Sequence, residues 1–121
     1  MNDTMFNTKA VHWLAGILEG EGCFMWVRNR GNWFGPRVVV KMTDLDVITR
    51  CLNVFGIGVI YGPHGPYPSS PNSKPTYSWA VEKTTDAIGL MMTMYPLLLS
   101  RRQEKIRSIL SQWQKYERKA V

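Results

Sequence analysis

The sequence predicts an α+β fold of order αββαββα, closed by one further helix. Three observations carry that prediction. Apolar residues recur at helical spacing in separate stretches, the first at Val11, Leu14, Ile17 and Leu18 and the last at Ile106, Ile109, Leu110, Trp113 and Tyr116. Between the helical stretches lie four short runs rich in β-branched and aromatic residues, grouped as two pairs. Turn residues join the members of each pair, so each pair reads as an antiparallel hairpin.

Taken in order, residues 1–6 form a loose end and Asn7 or Thr8 can cap a helix over 9–21. Gly22 stops that helix, and 23–29 read as a strand built on Phe24, Trp26 and Val27. Gly-Asn and Gly-Pro turn signals fill 30–36, and a second strand over 37–43 is built on Val38, Val39 and Val40. Thr43 or Asp44 caps a second helix that reaches Phe55, with Gly56 as its stop. A third strand over 57–61 and a fourth over 76–82 flank a loop at 62–75 dense in Pro, Gly and Ser. That loop is long for a compact domain, which marks it as functional or mobile. Thr84 or Thr85 caps a third helix running to Met94, where Tyr95-Pro96 interrupts it. The last helix covers 100–119 and is basic on its outer side through Arg101, Arg102, Lys105, Arg107, Lys115, Arg118 and Lys119.

With 121 residues, no dividing linker and no repeat, residues 1–121 read as one domain. Five Trp and five Tyr argue against disorder. No apolar run approaches the roughly 20 residues of a membrane span, so no membrane partner is expected. The first eight residues lack the apolar centre of a secretion signal. Two widely spaced cysteines give neither a metal pair nor a disulfide framework, so the expected setting is intracellular. Two histidines with those cysteines also make a poor zinc set. A net charge of +6 points to a polyanionic partner, nucleic acid first. No acid lies between Gly22 and Thr43, while Arg28, Arg30, Arg37 and Lys41 do, so the first hairpin should present a surface of one sign.

The first helix is unusual. Gly16 and Gly20 lie one turn apart, and each glycine inside a helix costs about 0.5–1 kcal/mol relative to alanine. Small residues at this spacing make a flat stripe on which a second backbone can settle. Glu19 and Glu21 crowd the carboxyl end, where the helix dipole disfavours anions. Either they stay in solvent or a cation compensates them.

The run Trp13-Leu14-Ala15-Gly16-Ile17-Leu18-Glu19-Gly20-Glu21-Gly22-Cys23-Phe24 resembles the signature of the LAGLIDADG homing endonucleases, with Glu at both acidic positions and Gly20 at the alanine position. The element order is similar to that family's. The resemblance implies a homodimer joined through the first helices, with Trp13, Ala15, Gly16, Glu19 and Gly20 at the interface. It implies a saddle of two sheets over the major groove of double-stranded DNA. It implies a divalent metal, normally magnesium, held by Glu21 with help from the Gly20 carbonyl, and site-specific cutting of one strand per subunit across the minor groove. By the same resemblance Asp44 would orient water and Arg101 would stabilise charge near the scissile phosphate. For Asp44 a helix cap reads as well, and for Arg101 the bland reading is a solvated charge. Members of the fold also act as splicing maturases or as non-cleaving nucleic-acid binders, and these are the rival readings.

Alternation along the strands nominates the groove-facing residues. If Val38 and Val40 face the core, Arg37, Val39 and Lys41 face DNA. If Phe24 and Trp26 face the core, Met25, Val27 and Asn29 face DNA, which leaves Arg28 awkwardly on the core side. Arg30, Asn32 and Trp33 lie at the hairpin tip, and Val59, Tyr61, Ser78 and Ala80 are the counterparts on the second hairpin. Arg28, Lys74 and Arg102 complete the basic candidates for DNA contact.

Overall fold

A computed structural model of the chain describes residues 7–28 and 33–120, with side chains described as far as Glu117. The elements are α1 (Thr8–Glu21), β1 (Gly22–Arg28), β2 (Phe34–Met42), α2 (Leu45–Phe55), β3 (Val59–His64), β4 (Thr76–Val81), α3 (Thr84–Met94) and α4 (Ser100–Ala120), with a 3-10 turn at Tyr95–Leu97. This is the predicted α+β order. The sheet is antiparallel with strand order β1-β2-β4-β3. The two hairpins therefore join through their second strands, β2 and β4, and leave β1 and β3 as the edges.

Alternation then assigns two faces. Phe24, Val38, Val40, Trp79 and Val81 point to one side and are buried with Leu14, Leu18, Ile48, Cys51, Leu90, Met91, Met94, Ile106 and Ile109 from the four helices. All helices thus cover one face of the sheet. Trp79 is the largest fully buried side chain, and its indole N–H donates to the Ile57 carbonyl at 2.9 Å, which satisfies the polar end of the ring.

Local chemistry sets the boundaries. Asn7 caps α1, its Oδ1 accepting from the Lys9 N–H at 2.9 Å. Gly22 ends α1 without a left-handed turn (φ −75°); glycine is required there because a methyl group would lie 2.7 Å from the Leu18 carbonyl oxygen. The chain passes directly from α1 into β1 with no intervening loop. Gly56 ends α2 in the left-handed region, at φ 68°.

Two strand boundaries depart from the sequence reading. β2 begins at Phe34 rather than at residue 37, taking in Gly35 and Pro36. Pairing with β4 starts only at Val38, so Pro36 sits where β2 has a neighbour on one side alone and its missing N–H costs no ladder bond. β3 runs Val59–His64 rather than 57–61, because Gly58 (φ 92°) turns the chain beforehand and the edge position tolerates Pro63. The Lys83 position, not Thr84 or Thr85, is the N-cap of α3.

Candidate functional site

The inward side of α1 carries Leu14, Ala15 and Leu18 into the core, with Val11 and Ile17 packed against it. His12, Gly16 and Gly20 form an exposed outward stripe, and Glu21 is exposed at the end of the helix. A methyl group added at Gly16 or Gly20 would meet nothing within 4 Å beyond the helix's own backbone. Among the described residues, nothing therefore requires glycine at either position.

The predicted contact patch narrows accordingly. Ala15 belongs to the chain's own core, since it shares the 11, 14, 15, 18 stripe. Trp13 is half-buried, with the Arg50 guanidinium 4.3 Å above its ring. Glu19 is also committed within the chain. Its Oε1 accepts from the Leu99 N–H at 2.8 Å, and its backbone carbonyl accepts from Arg102 Nε at 3.1 Å. These bonds tie the start of α4 to the end of α1. They also account for an acid at the carboxyl end of a helix, because Glu19 serves as an acceptor for the N-terminal end of another.

Glu21 is the final residue of α1 and is exposed. Of the last carbonyls of that helix, Leu18 accepts from the Gly22 N–H and Glu19 from Arg102, and those of Gly20 and Glu21 lie past the intrahelical ladder. Arg101 is exposed on the first turn of α4, next to the Arg102 that grips α1. Gly22 pairs with Val40, so the rest of β2 runs past the end of α1 and Asp44 follows two residues after Met42. Asp44 occupies the N-cap position of α2, yet its carboxylate makes no capping hydrogen bond. Only its backbone carbonyl takes part, accepting from the Ile48 N–H at 3.2 Å. Glu21, Asp44 and Arg101 each lie at an element terminus, and the Glu19 bonds to Leu99 and Arg102 join the α1 end that carries Glu21 to the α4 start that carries Arg101.

No group of three or more His, Cys, Asp or Glu side chains among the described residues could enclose a metal ion. Magnesium does not need such a cage. It keeps several waters and takes one or two carboxylates plus substrate phosphates. An exposed glutamate at the negative end of a helix dipole, beside helix-terminal carbonyls, fits an ion completed by a substrate.

The uncovered face of the sheet holds the alternate residues. Register lines up Cys23, Val39, Ala80 and Val59 in one row, and Lys41, Ser78 and Tyr61 in the next. Arg37 faces Met25 on β1. Cys23 and Lys41 are exposed, as are Val59 (47%) and Tyr61 (42%). Arg28 shares the alternation of Phe24 and Trp26, so although exposed it belongs to the helix-covered side of the sheet at the strand's end. Lys74 is exposed in the loop between β3 and β4, where Ser73 Oγ donates to the Ser70 carbonyl at 2.7 Å. Trp33 is exposed (68%) just before β2. Asn29, Arg30 and Asn32 lie outside the described residues.

The expectation of a surface of one sign needs correction. Glu82, immediately after β4, reaches the open face. Its Oε2 lies 3.4 Å from Arg37 Nη2, and its Oε1 accepts from the Tyr61 hydroxyl at 2.6 Å. That carboxylate, as hydrogen-bond acceptor and as charge, pushes the Tyr61 phenol above its ordinary value of 10, with Arg37 acting weakly the other way. Alternation from Ser78 and Ala80 already puts Glu82 on this face, but only the strand pairing brings it beside Arg37, which is remote from it in sequence.

No family model and no curated protein matches the sequence. Solved structures do match. A group I intron-encoded homing endonuclease, I-CeuI, complexed with DNA, superposes on 98% of this chain and 60% of its own, with a TM-score of 0.70 and 15% identity. A LAGLIDADG meganuclease, I-AabMI, bound to uncleaved DNA, covers 91% of this chain and 38% of its own, with a TM-score of 0.67 and 13% identity. The chain has the LAGLIDADG homing-endonuclease fold. A third structure of this LAGLIDADG fold, the homing endonuclease I-CvuI in complex with the I-CreI target DNA in the presence of 2 mM Mg, covers 85% of the chain and 69% of its own, at a TM-score of 0.62 and 15% identity. The chain thus spans about three fifths of the I-CeuI chain, and it carries the LAGLIDADG helix, both hairpins and the covering helices.

Proposed function

We propose that this chain is a site-specific DNA endonuclease that works as a homodimer and needs a divalent metal, with magnesium the fitting ion. The observation that carries the reading is the exposed Glu21 carboxylate at the end of a helix whose outer side is Gly16 and Gly20, on a fold shared with DNA-bound homing endonucleases. Two copies meeting through those glycines bring two Glu21 side chains together. Such a pair of like charges is unfavourable until cations and phosphate oxygens complete the site. The open sheet face of each copy then lies along the major groove, where Lys41 and Arg37 supply donors and Val39 and Val59 supply apolar contact for thymine methyls.

Glu21 would hold the divalent ion, which would supply activation of water and neutralisation of charge at the phosphate. The chain's own residues position the rest. Asp44, whose carboxylate is not spent on a cap, is the group to orient a water. Arg101 presents a permanent cation at the start of α4 for charge that develops on the phosphate, and as an arginine it cannot serve as a base. Ala15 and Glu19 are committed within the chain, whereas the half-buried Trp13 stays with Gly16 and Gly20 in the proposed contact between copies.

The test is cleavage of a randomised or intron-insertion duplex library, with magnesium and then with EDTA, followed by sequencing of the ends. Glu21→Gln is expected to lose cutting by several orders of magnitude while DNA binding, measured by gel shift, is retained. Retained cutting would show Glu21 to be misassigned. Binding without cutting by the unaltered chain, at any divalent ion tried, would replace the endonuclease with a non-cleaving binder or splicing maturase of the same fold.

A further inference from the structure

We propose that Glu82 is a specificity-determining residue of the open sheet face: it holds Arg37 and Tyr61 in fixed orientation and subtracts charge, so that this face discriminates among DNA sequences instead of gripping any duplex. The inference rests on the reading of that face as the DNA-binding surface.

The geometry is a three-strand brace. Val38 of β2 pairs with Val81 of β4, so the next position on each strand places Arg37 beside Glu82 on the open side. Tyr61 comes from β3, on the other flank of β4. One carboxylate thus takes a guanidinium on one oxygen at 3.4 Å and a phenol on the other at 2.6 Å. Ala80 lies between Ser78 and Glu82 on the same side and is only 4% exposed, so the small residue leaves room for Tyr61 and Glu82 to meet above it.

A surface selected only for phosphate attraction has no use for a carboxylate beside its arginine. Like-charge repulsion from DNA weakens every complex, whatever its sequence. What Glu82 offers in exchange is order. An unrestrained arginine swings to the nearest phosphate and carries no sequence information, whereas one held in place reads base edges. Tyr61, fixed through its hydroxyl, presents its ring in one orientation to the same groove.

The experiment uses the full chain, randomised duplex DNA as the probe, and two variants, Glu82→Gln and Tyr61→Phe. Affinity for the unselected pool is measured across sodium chloride concentrations, and the bound fraction is sequenced. Glu82→Gln is expected to bind the unselected pool more tightly, with the slope of log K against log salt steeper by about 0.9, the value of one added phosphate contact. Its recovered sequences should be markedly less enriched than those of the unaltered chain. Tyr61→Phe keeps the carboxylate, so its salt slope should stay unchanged while enrichment falls. If Glu82→Gln shows an unchanged slope and unchanged enrichment, the proposal is overturned. Should circular dichroism show Glu82→Gln to be unfolded, Tyr61→Phe decides, and undiminished enrichment overturns the proposal. An unaltered chain that binds no duplex DNA removes the parent reading and this one with it, a result distinct from binding that both variants leave untouched.

Discussion

Gly22 and Cys51 show how much a single residue's role depends on its neighbours. The sequence marks Gly22 as a helix stop, and it is one, but the left-handed turn that usually selects glycine is absent; the demand comes from the Leu18 carbonyl oxygen, which a methyl group at residue 22 would approach to 2.7 Å. That distance arises from the direct passage into β1, which no local propensity reports. Cys51 reads in the sequence as one apolar position on α2, and the structure buries it completely. Burial pushes its thiol up to about 11, with its own backbone hydrogen bond opposing. The folded value lies above the ordinary 9.0, so the neutral thiol supports the fold fully below about pH 9 and that support is lost as pH rises toward about 11. Two units correspond to at most about 3 kcal/mol. Urea unfolding of the unaltered chain and of Cys51→Ala should therefore give stabilities that converge between pH 8 and pH 10.5. A constant difference would show that the thiol titrates alike in both states.

Among the elements, helices were legible because their apolar stripes are long and their caps are marked. Asn7 and Gly56 sit where the pattern puts them. The strands were legible in existence and facing, and less so in extent, because Pro36 and Pro63 are turn signals that edge positions absorb. α1 is the element whose two glycines no contact among the described residues explains. A methyl group at Gly16 or Gly20 touches nothing, so Gly16→Ala with Gly20→Ala should stabilise the isolated chain by about 1–2 kcal/mol through helix propensity. The same pair of substitutions should weaken self-association, because the two helices could no longer approach to backbone contact. Denaturation at low concentration reads the first effect and sedimentation equilibrium the second. A double variant that associates as tightly as the unaltered chain would remove the close-packing account. The candidate site was legible at Glu21, which the signature isolates, and illegible at Glu82 and at the Glu19–Leu99–Arg102 junction. Those depend on pairs 80 or more residues apart, or on strands joined out of sequence order.

On the scale of the molecule, charge and fold divide in a way composition conceals. The net +6 suggests a basic binding surface, yet several of the cations lie on α4, which covers the sheet from the side opposite the open face. Arg107, for instance, donates to the Tyr95 hydroxyl at 2.6 Å, within the helical layer. The described open strands contribute Arg37 and Lys41, and Arg37 is already braced by Glu82. Affinity through this face then owes less to bulk charge than the isoelectric point implies, and more to fit. The architecture itself was legible because four strands in two hairpins with helices between them leave few ways to bury one sheet face.

The absence of any loop between α1 and β1 makes the fold a ruler. In a two-fold pair, the contact between helices and the reading of bases are joined by one covalent bond at Gly22, with no slack to absorb a change in distance. On the proposed homodimeric reading, the separation of the two half-sites on DNA would be a property of the protein's skeleton. One base pair inserted at the centre of a cleaved target shifts the halves by about 3.4 Å and turns them by about 35°. Cutting of that target should fall by about 100-fold or more, as misplacements of this size do to positioned chemistry. Equal cutting of both targets, followed on a gel over time, would mean that the two copies turn independently and that the length of the site is set elsewhere.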